Sequence, residues 1–143
     1  FSKRLRLDVV LNLFCYQAYY KKKITILGGS QIRPLLNIND MIRSYEFFIK
    51  KNINGIYNVG FENLQVKEIA KKVAKIFNCK IEIKKTNDPR SYRMNSDKII
   101  RLGFRPKYNY ENSINELKEA FEEGFIPSDI NWNLKWLTKK KWI

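Results

Sequence analysis

The sequence predicts an α/β fold. Three observations carry that expectation. Short apolar runs at residues 24–27, 35–38, 56–60 and 79–83 have the length and β-branched content of strands. Longer amphipathic runs at 8–22, 39–51, 65–77 and 110–123 repeat at helical spacing. The two kinds alternate along the chain, which is the pattern of an α/β layer rather than of separate all-α and all-β parts.

Residues 1–7 are basic and read as extended. Asp8 is the expected N-cap of the first helix, whose apolar positions are Val9, Val10, Leu13, Phe14 and Ala18. Lys21, Lys22 and Lys23 end it, where cations favour a helix C-terminus. Ile24 to Leu27 is a strand, and Gly28-Gly29-Ser30 a turn. The run Leu35 to Ile38 is the next strand. Asn39 or Asp40 then caps a helix with Met41, Ile42, Tyr45, Phe48 and Ile49 on its core face. Ile56 to Gly60 reads as a buried strand. The helix over 65–77 carries Val66, Ile69, Ala70, Val73, Ile76 and Phe77 on one face, and residues 79–83 form a last strand. Pro89 marks 87–92 as a loop. A short helix over 97–102 is closed by Gly103, and the helix at 110–123 presents Ile114, Leu117 and Phe121 before Gly124 ends it. The tail, 125–143, holds Trp132, Trp136 and Trp142 among lysines. Its tryptophans suit capping the domain, packing on a partner chain or touching a membrane surface.

The 143 residues fit one domain or a large piece of one. With 44% hydrophobic and 14% aromatic residues, the chain can bury a core. Its net charge of +14 favours phosphate-bearing or other anionic partners. The lysines are scattered, however, and the aromatics fall mostly on apolar helix faces, so a nucleic-acid surface is not expected. The sequence has no histidine, which removes a Ser-His-Asp triad and histidine-containing zinc sites; no metal is expected. Cys15 and Cys79 lie in apolar contexts and read as free thiols of a cytoplasmic protein. No apolar run reaches membrane-spanning length and no signal peptide is visible. The chain opens on Phe1 rather than Met, which reads as a fragment or a processed product.

Four stretches, in order, resemble one family. They are RLRLDVVLN (4–12), IRPLLNINDMIRSYEFFI (32–49), GIYNVGFENLQVKEIAKKVAKIF (55–77) and DPRSYRMNSDKIIRLGFRPKYNYENSINELKEAF (88–121). Together they are similar to the C-terminal part of NAD-dependent epimerases/dehydratases, the extended short-chain dehydrogenases that act on nucleotide sugars. The resemblance implies a fold class: the substrate-binding portion of a Rossmann-type enzyme, residues 1–124, with most of the nucleotide-binding sheet absent and 125–143 as an added tail. It also implies a site. Arg33, Arg90 and Tyr92 would lie near the diphosphate of a nucleotide sugar, Asn12 would contact its phosphate or sugar, and Ser2 would sit on the cofactor side. Arginine suits that task because its planar fork pairs with phosphate oxygens bidentately. Residue by residue, Arg90 also reads as a loop arginine held by Asp88, Tyr92 as a core aromatic, and Asn58 and Gly60 as structural turn residues.

The family's other half is not legible here. No Gly-x-x-Gly-x-x-Gly turn for NAD or NADP occurs in the sequence. A literal Tyr-x-x-x-Lys, Tyr19 to Lys23, lies at a helix end after the entry segment and does not match the family's catalytic pair. The expectation is therefore a chain without catalytic residues of its own, belonging to an enzyme that uses NAD or NADP and forms homodimers. A binding remnant or a basic nucleic-acid module is the alternative.

Overall fold

The computed structural model describes residues 2, 4–86 and 89–139. Phe1, Asp88 and Trp142, named above, lie outside the described residues. The elements are α1 (Val10–Lys21), β1 (Lys23–Leu27), β2 (Ile32–Leu35), α2 (Ile38–Lys51), β3 (Glu62–Gln65), α3 (Val66–Phe77), β4 (Lys80–Lys84), α4 (Asp97–Arg101), α5 (Tyr110–Glu122) and α6 (Asn133–Lys139).

Among the described residues, two small sheets organise the chain. β1 and β4 pair in parallel, with Ile24 opposite Ile81 and Ile26 opposite Ile83. Parallel strands need a crossover, and α3 provides it. β2 and β3 pair antiparallel, with Arg33 opposite Leu64 and Pro34 opposite Asn63. One hydrophobic core lies between α1, α3, α5 and β1. Leu7, Cys15, Ala18, Ile24, Ile26, Ile69, Ala70, Val73 and Ile114 are wholly buried in it. A smaller aromatic cluster packs under α2 and α4: Phe104 meets Phe47 edge-on and Phe61 face-on, both at 5.5 Å.

Several expectations are corrected. Asp8 does not cap α1. The N-cap is Val9, with no side-chain bond, and Asp8 pairs with Arg6 instead. The strand expected at 35–38 lies three residues earlier, because Pro34, which has no N–H to give, is tolerated in a two-stranded ribbon. Asn37 then caps α2 in place of Asn39 or Asp40, its side chain accepting from Asn39 N at 2.8 Å. Residues 56–60 form no strand, and Ile56 is 90% exposed. The expected core face of α2 is also largely in solvent. The buried residues of the helix are Asp40 and Ser44 instead.

Asp40 explains that inversion. Wholly buried, it accepts from Lys107 N at 3.1 and 3.0 Å and from Tyr108 N at 2.9 Å, and it pairs with Arg43. One carboxylate thus ties the first turn of α2 to the segment leading into α5. At the other end of the chain, Asn131 is buried and donates to Leu5 O at 2.9 Å. Leu7 N bonds Asn131 O, Trp132 packs edge-on against Tyr16, and Arg4 lies over Trp136 at 3.9 Å. The described part of the tail therefore caps the entry segment of this same chain. Cys15 and Cys79 are free, the first buried and the second partly so. No helix among the described residues is long and apolar enough to cross a membrane.

Candidate functional site

An open cleft of about 880 Å³ runs between the N-terminal half of α1 and the β2 ribbon. That volume falls in the range of small-molecule sites. Asn12, Arg33, Arg90 and Tyr92 all line it, although they come from three distant parts of the chain.

Local structure explains the convergence. Residues 89–96 form an extended strap laid across the β2–β3 ribbon. Tyr92 N donates to Ile32 O at 3.3 Å, and Ile32 N donates to Ser91 Oγ at 3.0 Å. Asn63 bonds both backbone groups of Met94, at 3.0 and 2.8 Å. Ser96 Oγ accepts from Gly60 N and donates to Gly60 O. A Cβ at Gly60 would meet Met94 Sδ at 2.8 Å, so the Met94 side chain of the strap lies directly against this glycine. Asn58, 3.4 Å from Asn95 O, belongs to the same fastening. Both residues fasten the strap, rather than forming the strand-end turn that their residue types suggested.

The strap delivers Arg90 and Tyr92 to Arg33. Arg33 Nη1 donates to Arg90 O at 2.7 Å and to Ile32 O at 2.9 Å, and its guanidinium lies over the Tyr92 ring at 5.1 Å. Backbone bonds and a ring face together fix the plane of the fork. Arg33 is thus joined to the backbone of Arg90, and both residues line the cleft. Tyr92 is 56% exposed, so it is no core aromatic. Asn12, in the first turn of α1, donates to Arg6 O at 2.8 Å. Ser2 is exposed, and its carbonyl accepts from Leu5 N; it does not line the cleft.

Sequence reasoning missed three polar groups there. Arg6 lines the cleft and pairs with Asp8 through Nε at 3.0 Å and Nη2 at 3.3 Å. Gln17 accepts from Thr25 N at 2.9 Å. Gln31 is buried, accepts from Gly29 N at 2.7 Å and donates to Leu27 O at 3.1 Å. That bond, and the backbone bonds of Gly28 and Gly29 to Lys84 and Lys67, make the 28–30 turn a structural one. Three arginines against one aspartate give the cleft a positive field.

Burial, followed by the neighbouring Tyr19 and Tyr16, pushes the Tyr20 hydroxyl above its ordinary value, and the hydroxyl donates to Phe125 O. Among the described residues no cluster of three His, Cys, Asp or Glu side chains is arranged to hold a metal.

No family model matches the chain. It is 32% identical to human dTDP-D-glucose 4,6-dehydratase across 82% of its own length, and equally so to the bovine enzyme. It spans only 38% and 37% of those relatives. Among solved structures, its fold superposes on RMD from Pseudomonas aeruginosa, complexed with NADPH, with a TM-score of 0.72 at 16% identity, covering 84% of this chain and 44% of that one. UDP-N-acetylglucosamine 4-epimerase from Methanobrevibacter ruminantium M1, solved with UDP-N-acetylmuramic acid, gives 0.71 at 15% identity, covering 87% and 44%. The fold is thus part of the Rossmann-type short-chain dehydrogenase architecture. In sequence and fold the chain is an NAD-dependent epimerase/dehydratase-like polypeptide that corresponds to part of such an enzyme.

Proposed function

We infer that the cleft binds the diphosphate of a nucleotide sugar, and that residues 1–124 are the substrate-binding part of an NAD(P)-dependent nucleotide-sugar epimerase or dehydratase, with 125–143 as a tail. One observation carries this reading. Arg33 and Arg90, far apart in sequence, are tied side by side on the wall of a cleft of suitable size. Arg33 would take phosphate oxygens with its pre-set fork. Arg90 would add a second cation, and Tyr92 would hold the first in plane. Asn12 would serve the sugar side, and Ser2, on the segment leading into α1, the cofactor side. The two relatives act on a dTDP sugar by name, and one structural neighbour holds a UDP sugar, which supports a pyrimidine nucleotide.

The residues present do not fit a dinucleotide on their own. The sequence has no glycine-rich phosphate turn, and each sheet among the described residues has two strands. NAD or NADP, which would accept and return the hydride in the complete enzyme, therefore belongs with groups outside this chain's cleft. The complete enzyme would be a cytoplasmic homodimer, and this chain alone would turn nothing over.

Calorimetric titration with UDP, dTDP and their glucose conjugates tests the reading. A charge-assisted pair of this kind contributes about 1.5–3 kcal/mol, so Arg33→Ala should weaken binding roughly 10- to 150-fold. Arg33→Lys should recover only part of the loss, because a point charge does not reproduce the fork. Unchanged affinity in both variants would overturn the assignment.

A further inference from the structure

The α1 side of the cleft is held in place from the far end of the chain. Exposure alternates between residues 4 and 7: Leu5 and Leu7 are buried, Arg4 and Arg6 exposed. Asn131, itself 1% exposed, takes both buried neighbours of Arg6. Its side-chain amide donates to Leu5 O at 2.9 Å, and its carbonyl accepts from Leu7 N at 2.8 Å. The amide cannot turn away, because its oxygen accepts from Ser128 N at 2.8 Å. The same tail holds Arg4 through Asn133 Oδ1 at 3.2 Å and the Trp136 ring.

With Leu5 and Leu7 clamped, the side chain between them points outward, and Arg6 lines the cleft. The Arg6 carbonyl accepts from Asn12 Nδ2, so Arg6 and Asn12 are placed as one unit. Asp8 takes one edge of the Arg6 fork, Nε and Nη2. A guanidinium has five N–H donors. The end-on edge, Nη1 with the second N–H of Nη2, has no partner among the described residues.

Charge divides the cleft into two parts. Asp8 is the one carboxylate among the described residues that line it, and it compensates Arg6. Arg33 and Arg90 supply the remaining positive charge, which suits a diphosphate. Arg6, Asp8 and Asn12 together are neutral, with donors and acceptors side by side. A hydroxyl both donates and accepts, so a set of this kind complements the hydroxyls of a sugar.

We propose that Arg6, with Asp8 and Asn12, contacts the hydroxyl oxygens of the sugar moiety, and that Asn131 of the tail is the positioning residue that holds Arg6 there. The proposal deepens the functional reading above and rests on it. It gives the tail, which lies outside the family resemblance, a part in substrate recognition.

The test is calorimetric titration of the 143-residue chain with UDP and with UDP-glucose. The wild-type chain should bind UDP-glucose more tightly than UDP. Arg6→Gln should weaken UDP-glucose binding about tenfold, the worth of one hydrogen bond from a charged donor, and leave UDP unchanged. Asn131→Ala should act in the same direction. The double variant should bind no worse than Arg6→Gln, because both changes act through one guanidinium. The Arg6 side chain is exposed, so Arg6→Gln keeps the core and decides the contact by itself. Where alanine at 131 unfolds the chain by circular dichroism, Asn131→Asp, which keeps the volume and removes the donor to Leu5 O, decides the positioning. Equal affinity of the wild-type chain for UDP and UDP-glucose would overturn the proposal. So would an equal loss for both ligands in Arg6→Gln, which marks a phosphate contact, or additive effects at 131 and 6, which mark a purely structural tail. Absence of UDP binding by the wild-type chain would overturn the functional reading and the proposal with it, whereas intact UDP binding without a sugar-dependent margin sinks the proposal alone.

Discussion

Replacing Asp40 with alanine should be among the most damaging single changes in this chain. Its carboxylate satisfies two backbone N–H groups, those of Lys107 and Tyr108, and pairs with Arg43 while wholly excluded from water. Alanine leaves both N–H groups without an acceptor, at about 1–3 kcal/mol each. It also leaves the Arg43 guanidinium without its counter-charge. Arg43 is partly open to water and keeps its bond to Arg105 O at 3.0 Å, which limits that part of the loss. Breaking a buried pair from one side costs about 3–5 kcal/mol. A loss of that size takes up much of the roughly 5–15 kcal/mol by which domains are stable. Urea unfolding followed by circular dichroism measures it, and the midpoint should fall by more than about 1 M. Arg43→Ala alone should cost less, and the double variant less than the sum, because both changes remove one interaction. A loss under about 1 kcal/mol for Asp40→Ala, or strict additivity in the cycle, would refute the role assigned to this carboxylate.

Two further outcomes follow from the same structure. Asn131→Ala removes the acceptor of Ser128 N and the donor to Leu5 O, so it should cost about 1–3 kcal/mol and expose the tail to limited proteolysis; an unaltered digestion pattern would contradict the capping role. Glu62 accepts from Tyr110 N at 2.6 Å. Burial raises its proton affinity most, against the lowering effect of that bond, and Glu111 raises it further. A carboxyl held above its unfolded value binds protons more tightly when folded, so its contribution is present below the unfolded value and is lost as pH rises through the folded one. Glu62→Gln should flatten that decline in the unfolding midpoint, and an unchanged pH profile would contradict it.

Much of the fold was legible because periodicity and punctuation agreed. The α3 helix shows it best: its apolar face was legible from spacing, and the structure adds a reciprocal Gln65–Glu68 cap and an end at Asn78, which takes a positive φ of 50°. The strand β3 was not legible. Glu-Asn-Leu-Gln has one apolar residue, and its pairing with β2 is a tertiary fact. Pro34 hid the start of β2 in the same way. The α2 face and the 56–60 segment misled for a different reason: they carry the pattern of buried structure while the described chain leaves them uncovered. At the site, Arg33, Arg90, Tyr92 and Asn12 were reached through the family resemblance, and geometry then put them in one cleft. Arg6, Gln17 and Gln31 gave no signal, since single polar residues inside helices and turns look alike until the cleft is closed around them.

The most direct test of the central claim is a titration of the isotopically labelled chain with UDP-glucose, followed by amide and arginine side-chain NMR shifts. The account predicts saturable shifts centred on Arg33, Arg90, Tyr92 and the first turn of α1, with the basic end of α1 and the tail unmoved. Shifts spread over the lysine-rich surface, or none at substrate concentrations that saturate related enzymes, would contradict it.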